Sequence, residues 1–197
     1  MVKQADLVFA LYAAGDCFDD EQKERDFDYY ERITVRDSSL SAAIQAIVAA
    51  EVGQLELAYD YWGETAFIDL RDLAFNTRDG IHLAALSGAW HVAVAGFGGL
   101  RDHGEQLRFA PRLPPRLSRL AFRILFRGRR LRVSIEPEAA TYELLGGEPL
   151  ELHHHGEALT VSQDGAETRP IPEQRRRERP EGPAGRTPPA RHDEAET

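Results

Sequence analysis

Cysteine occurs once in these 197 residues, at Cys17, and that excludes an internal disulfide framework. Such sparse thiol usage fits a reducing cytoplasm, where the sequence places the chain. Also missing is any run approaching the roughly 20 apolar residues that a membrane-spanning helix needs. The opening segment Met1-Val2-Lys3-Gln4-Ala5-Asp6 has an early acidic residue and no small-residue cleavage pattern, so it does not read as a secretory leader. Positive charge is not in excess either. The 24 Lys and Arg stand against 33 Asp and Glu, and the net charge of -9 argues against bulk nucleic-acid binding. A small anion can still bind an acidic protein in a locally positive pocket.

What is present divides into three zones. The first, residues 1–104, reads as helical. Leu7, Val8, Leu11 and Tyr12 form one apolar face that Gly15 closes. Asp19 followed by Gln22 is a capping pair for a helix running toward Tyr30. Leu40, Ile44, Ile47 and Val48 recur at helical spacing before Gly53, and Leu57, Tyr61, Trp62 and Ala66 define the next helix. Leu83, Leu86, Trp90, Val94 and Phe97 predict a last and very apolar one.

After Gly98-Gly99 the period drops toward two. Leu120, Phe122, Ile124 and Phe126 alternate with smaller or charged residues; Gly128-Arg129 reads as a turn, and Leu131, Val133 and Ile135 follow. Further strands are expected at Thr141 to Leu145, Leu150 to His153 and Leu159 to Val161. Residues 105–163 therefore predict a small antiparallel β-sheet domain that needs the helices, or further chain, to complete its core. From Asp164 to Thr197 the chain is rich in Pro, Arg and Glu and poor in large apolar residues. That composition predicts a disordered tail, and its Arg175-Arg176-Arg177 run reads as a solvated charge cluster. The fold class expected is α+β.

Three apparent motifs have plainer readings. Adjacent residues on a strand face opposite ways, so His153-His154-His155 cannot all address one metal ion. Asp19-Asp20-Glu21 lacks the glycine and ligand spacing of a calcium loop. Gly96 to Gly99 lacks a preceding strand and the dinucleotide fingerprint.

A set of longer segments is more specific. Lys3-Gln4-Ala5-Asp6, Asp26-Phe27-Asp28-Tyr29-Tyr30-Glu31 and Asp37-Ser38-Ser39-Leu40-Ser41 resemble segments of the family 65 glycoside hydrolases, the maltose, trehalose and kojibiose phosphorylase group. The likeness continues in the same order through Ala49-Ala50-Glu51-Val52-Gly53, Ala58-Tyr59-Asp60-Tyr61-Trp62 and Thr65 to Leu70. It then takes in Asn76 to His82, Gly96 to Arg101, Arg112-Leu113-Pro114 and the Phe122-to-Arg127 strand. Two positions depart from the family pattern: Arg36 stands where His is usual, and Arg32 where Pro is frequent.

The resemblance implies the C-terminal sector of an (α/α)6 barrel followed by a small β domain. It also implies inverting phosphorolysis of an α-linked glucose disaccharide to β-glucose 1-phosphate. A Glu upstream of this segment protonates the leaving oxygen while inorganic phosphate attacks the opposite face, in place of the water of an inverting hydrolase. No metal or organic cofactor is required; inorganic phosphate is the co-substrate. The resemblance makes Lys3, Gln4, Ser38, Ser39 and His82 candidate substrate- or phosphate-binding residues and assigns no catalytic residue to this chain. Without the family, Ser38-Ser39 before a helix is an N-cap, Lys3 a solvated charge and His82 a satisfied polar residue. Isolated from the acid-bearing region, the chain is expected to be inactive until an upstream polypeptide completes the barrel. The alternative is a non-catalytic carbohydrate- or protein-binding remnant, with apolar faces open around Trp62, Trp90 and Phe97.

Overall fold

A computed structural model describes residues 1–35, 38–102 and 106–182. The chain forms two compact units: Met1–Val92 joined by the segment that begins at Arg176, and Ala93–Arg175.

The first unit is helical. Helix α1 spans Asp6–Ala13, α2 Asp20–Ile33, α3 Ser41–Glu51, α4 Leu55–Phe67 and α5 Leu83–His91. Asp19 caps α2, its Oδ1 accepting from the Gln22 backbone N–H at 2.7 Å. Gly53 ends the α3 run with a left-handed φ of 85° that a Cβ would oppose. Helix α3 is the hub and buries Ala42, Ala43, Ala46, Ile47, Val48, Ala49 and Ala50 against its neighbours. Its small residues let α1, α4 and α5 approach closely, and a Cβ on Gly88 of α5 would stand 2.8 Å from the Ala43 Cβ. Polar groups tie the helices as well. The Lys23 ammonium on α2 meets Glu51 of α3 at 2.7 Å, with both side chains largely buried. The last predicted helix stops early: α5 ends at His91, and Val92–Phe97 continues as a π-helical segment.

The second unit is a pair of sheets. Strands β1 (Leu107–Phe109), β5 (Leu150–His154) and β6 (Glu157–Val161) form one, in the order β1-β5-β6. Strands β2 (Leu120–Phe126), β3 (Arg129–Ile135), β4 (Ala139–Gly146) and β7 (Glu167–Pro170) form the other, in chain order. Alternation along β3 and β4 buries Leu131, Val133, Ile135, Ala140, Tyr142 and Leu144, which share one core with Leu107, Phe109, Leu150, Leu152, Leu159 and Val161.

Four expectations are corrected here. The β unit does not depend on the helices for a core, because its two sheets supply one to each other. It is not wholly antiparallel: β1 pairs with β5 in parallel, since the chain between them passes through β2, β3 and β4 and returns in the same direction. The first hairpin turns at Arg127-Gly128, both left-handed with φ of 48° and 80°, while Arg129 already pairs with Phe126. Finally, the segment after Asp164 is not uniformly free. Glu167–Pro170 extends the second sheet, because an extended backbone can pair with the β4 edge without contributing a large apolar side chain. Beyond it, Arg177 bonds Asp28 at 2.6 Å and Arg179 bonds Asp60 at 3.1 Å, returning the chain to the helical unit. Residues 183–197 of the expected tail lie outside the described residues.

Candidate functional site

Helix α3 packs against both α1 and α5, and a cleft of about 370 Å³ lies among the three. Its walls are apolar, with Phe9 from α1, Ala43, Ile44 and Ile47 from α3, and Ala84 and Gly88 from α5. Polar groups come from Gln4, Asp6, Ser38, Ser41, Ser87 and His91. The polar residues near the helix starts follow from local chain order. Gln4 immediately precedes α1, and Ser38 precedes α3 in a tight turn where the Ser41 N–H bonds the Ser38 carbonyl at 3.1 Å. The Ala5 backbone N–H donates to the Ser41 hydroxyl at 3.3 Å, bringing the starts of α1 and α3 together. At the other end, the Tyr12 hydroxyl lies 2.6 Å from Nε2 of His91, joining the ends of α1 and α5. The Lys3-Gln4 and Ser38-Ser39 segments are thus neighbouring helix starts, joined through the Ala5–Ser41 contact.

Of the candidates named from sequence, Gln4 and Ser38 line the cleft, whereas Lys3, Ser39 and His82 do not. Lys3 is exposed, and Ser39 lies in the turn before α3. The plain N-cap reading of the serines is not what the structure shows. Leu40 occupies the α3 N-cap without a side-chain cap, and the Ser38 hydroxyl accepts a long 3.4 Å bond from the Leu40 N–H. His82 is the N-cap of α5. Arg36 and Asp37, also part of the family-like segment, lie outside the described residues.

The strongest polar geometry near these segments involves a residue the sequence did not single out. Asp69, in the turn after α4, takes the His82 backbone N–H on Oδ2 at 2.8 Å and faces Nδ1 of the same ring with Oδ1 at 2.6 Å. These hydrogen bonds hold the Asp69 carboxyl below its ordinary range, the ring contact contributing most. Asp72, three residues on, is lowered chiefly by the Thr77 hydroxyl, which donates to it at 2.5 Å. No periodic signal marks Asp69, because it sits in an irregular loop and its partner is 13 residues away.

The face around Trp90 is open as expected: Leu83, Leu86 and Trp90 on α5 are 70%, 39% and 56% exposed. Phe97, in contrast, is fully buried, and Trp62 is half-buried with its indole N–H on the Ala89 carbonyl at 2.9 Å. The histidine run also resolves. His154 is buried in β5, with Nδ1 at 2.8 Å from the Tyr142 hydroxyl and Nε2 at 3.0 Å from the Pro170 carbonyl. His155 leaves the strand at a left-handed φ of 47° to make the turn into β6.

Comparison with known proteins fits both units. Residues 1–91 match the glycosyl hydrolase family 65 central catalytic domain, and residues 100–161 match the family 65 C-terminal domain. This chain belongs to glycosyl hydrolase family 65. An uncharacterized glycosyl hydrolase of Mycobacterium leprae is 54% identical over 171 residues, covering 85% of this chain and 22% of that protein. An alpha,alpha-trehalose phosphorylase of Thermoanaerobacter brockii is 38% identical, over 81% of this chain and 20% of its own length. A maltose phosphorylase of Bacillus subtilis is 36% identical, over 81% and 21%. A solved structure described as a kojibiose phosphorylase from the human microbiome superposes with a TM-score of 0.82 at 25% identity, covering 88% of this chain and 25% of its own. The chain thus spans about a fifth of the length of the curated family 65 relatives. Among the described residues no helix is long and apolar enough to cross a membrane.

Proposed function

We propose that this chain is the phosphate-facing C-terminal sector of a family 65 phosphorylase that cleaves an α-glucosidic disaccharide of the trehalose or maltose type with inversion. The observation that carries the reading is the meeting of Gln4 and Ser38 in one cleft at the starts of two packed helices, inside the segment matched to the catalytic domain. Gln4 offers two amide donors and Ser38 a hydroxyl, the groups that bind a dianion by hydrogen bonds without committing a fixed charge. In this reading Lys3 and Ser39, next to them in the chain, and His82 complete the set, Lys3 bringing a full positive charge. Backbone N–H groups of the first turns of α1 and α3 add fixed partial charge of the right sign.

In the complete enzyme the helices form a sector of an (α/α)6 barrel, and upstream chain supplies the Glu that protonates the leaving oxygen. This sector then holds inorganic phosphate against the anomeric carbon, with no metal or organic cofactor. General acid catalysis is worth about 10²- to 10⁴-fold, and closure of the sugar site adds more. The isolated chain is accordingly inactive. Release of glucose 1-phosphate from trehalose, maltose and kojibiose is to be assayed with the chain alone and with a separately expressed upstream fragment of a close relative. Activity only in the mixture supports the proposal; turnover by the chain alone overturns it. The exposed Leu83, Leu86 and Trp90 stripe favours one other reading, a non-catalytic carbohydrate- or protein-binding module. Sugar binding without phosphorolysis in any mixture selects it.

A further inference from the structure

Composition marks Arg175-Arg176-Arg177 as solvated charge, yet Arg177 and Arg179 are each seated on carboxylates of the helical unit. Three separate stretches of chain build that seat. Glu24 and Asp28 stand one turn apart on α2, so their carboxylates share a face. The Arg177 guanidinium lies across both: Nη2 donates to Oδ2 of Asp28 at 2.6 Å, Nη1 to Oδ1 at 3.4 Å, and Nε lies 3.5 Å from Glu24. The turn between α3 and α4 adds the Gly53 carbonyl, which accepts the Arg177 backbone N–H at 3.2 Å. It also supplies Gln54, which is 2% exposed and donates its side-chain amide to Asp28 at 2.8 Å. A buried donor thus orients Asp28 from beneath. On α4, Asp60 accepts from Arg179 at 3.1 Å. Glu178, between the two arginines, is exposed. Contacts at alternate positions are those that one side of an extended chain makes with a surface. The two-pronged contact at Asp28 is one that a planar guanidinium makes and an ammonium does not.

From this geometry we infer that the face formed by Glu24, Asp28, Gly53 and Asp60 is a peptide-binding site for a segment with Arg at alternate positions, filled in cis by Arg177-Glu178-Arg179. The partner it fits is a basic Arg-x-Arg segment of another protein, admitted when the chain's own segment lets go. The hold is suited to exchange. Arg179 is 38% exposed and the Asp28 side chain 26%, so solvent weakens each pair and each contributes only about a few-fold. Covalent attachment offsets this by keeping the segment at an effective concentration on the order of millimolar. None of these residues lines the cleft among α1, α3 and α5, so the inference is independent of the phosphate reading.

The test is fluorescence anisotropy of a labelled synthetic peptide with the sequence of residues 173–182, titrated with the full 197-residue chain. Two forms of the chain are compared, wild type and the double variant Arg177→Ala with Arg179→Ala. The peptide is expected to bind the double variant saturably and the wild type about tenfold more weakly, because the chain's own segment leaves only a fraction of sites open. Added salt weakens both. A peptide with Lys in place of Arg177 and Arg179 keeps its charge and should bind the double variant about tenfold more weakly, having lost the two-pronged contact. Asp28→Asn or Asp60→Asn, each added to the double variant, should weaken the Arg peptide by a similar factor, with thermal melts reporting that the helical unit is folded. Where a carboxylate variant fails to fold, the Arg and Lys peptides on the double variant decide. Absence of saturable binding to the double variant overturns the site. Equal binding of the Arg and Lys peptides overturns recognition of arginine, and equal binding by wild type and double variant overturns occupation in cis.

Discussion

Glu31, near the end of α2, is 2% exposed; its oxygens receive the Gln45 amide from α3 at 2.7 Å and the Tyr61 hydroxyl from α4. One carboxylate thereby joins three helices. A buried acceptor that loses its donor pays its desolvation in full, so Tyr61→Phe is expected to destabilise the helical unit by about 1–3 kcal/mol, read by urea unfolding at constant m-value. Glu31 lies in a segment that the sequence marked only as family-like. Its burial was not legible, because a polar residue at a helical position reads as solvent-facing until the neighbours that satisfy it are known. The same limit hid Asp69. Gln4 and Ser38 were legible as candidates through the family resemblance, but their shared cleft depends on how α1, α3 and α5 pack.

At the scale of elements, local signals carried most of the outcome. The Asp19 cap, the Gly53 stop and the alternation of β2, β3 and β4 all read directly from nearest-neighbour chemistry. Asp19→Ala should cost about 1 kcal/mol through loss of the bond to the Gln22 N–H, measured as a lower midpoint in urea. Gly99 is more demanding. Its φ is 62°, and an added Cβ would stand 2.1 Å from the Ala110 carbonyl oxygen, a backbone atom that cannot swing aside. Gly99→Ala is expected to cost more than about 2 kcal/mol, seen as a lower melting temperature of the β unit. The Gly96-to-Gly99 run thus has a steric reason for at least one of its glycines. The early end of α5 had no such local cue: Val92, Val94 and Phe97 keep the helical spacing through the π-helical segment.

On the scale of the whole molecule, two features set expectations. Burial holds His154 below its ordinary pKa, and burial with the neighbouring His154 and Arg112 charges pushes His155 down to about 4. The folded state therefore refuses protons that the unfolded chain accepts below its ordinary value of 6.5. Stability rises with pH wherever the unfolded state binds more protons. The β unit should be most stable above about pH 6.5 and lose stability progressively as pH falls toward about 4. Thermal melts across that range check it. His155→Asn, which tolerates the left-handed turn, should flatten the dependence. The second feature is the returning chain. Arg177 meets Asp28 at 2.6 Å and Glu24 at 3.5 Å, and its backbone N–H bonds the Gly53 carbonyl at 3.2 Å. Arg177→Ala should free this segment for cleavage by glutamyl endopeptidase at Glu178, with little change in the helical melt because partly exposed ion pairs contribute under about 1 kcal/mol. Equal protection of both forms in a digestion time course would refute it.

Sequence by itself determined what nearest neighbours and period can encode: the places of the helices, most of the strands, the order of helical and β units, and membership of the family through ordered segments from Lys3 to Arg127. Tertiary structure decided what depends on residues far apart in the chain. It paired β1 with β5, gave the β unit its own core, drew the Arg177 segment back onto α2, and set Asp69 against His82. The physical reason is the same in each case. A cap or an alternating strand is specified by groups a few residues apart, whereas a buried polar contact exists only where two distant backbones bring complementary atoms within hydrogen-bond reach.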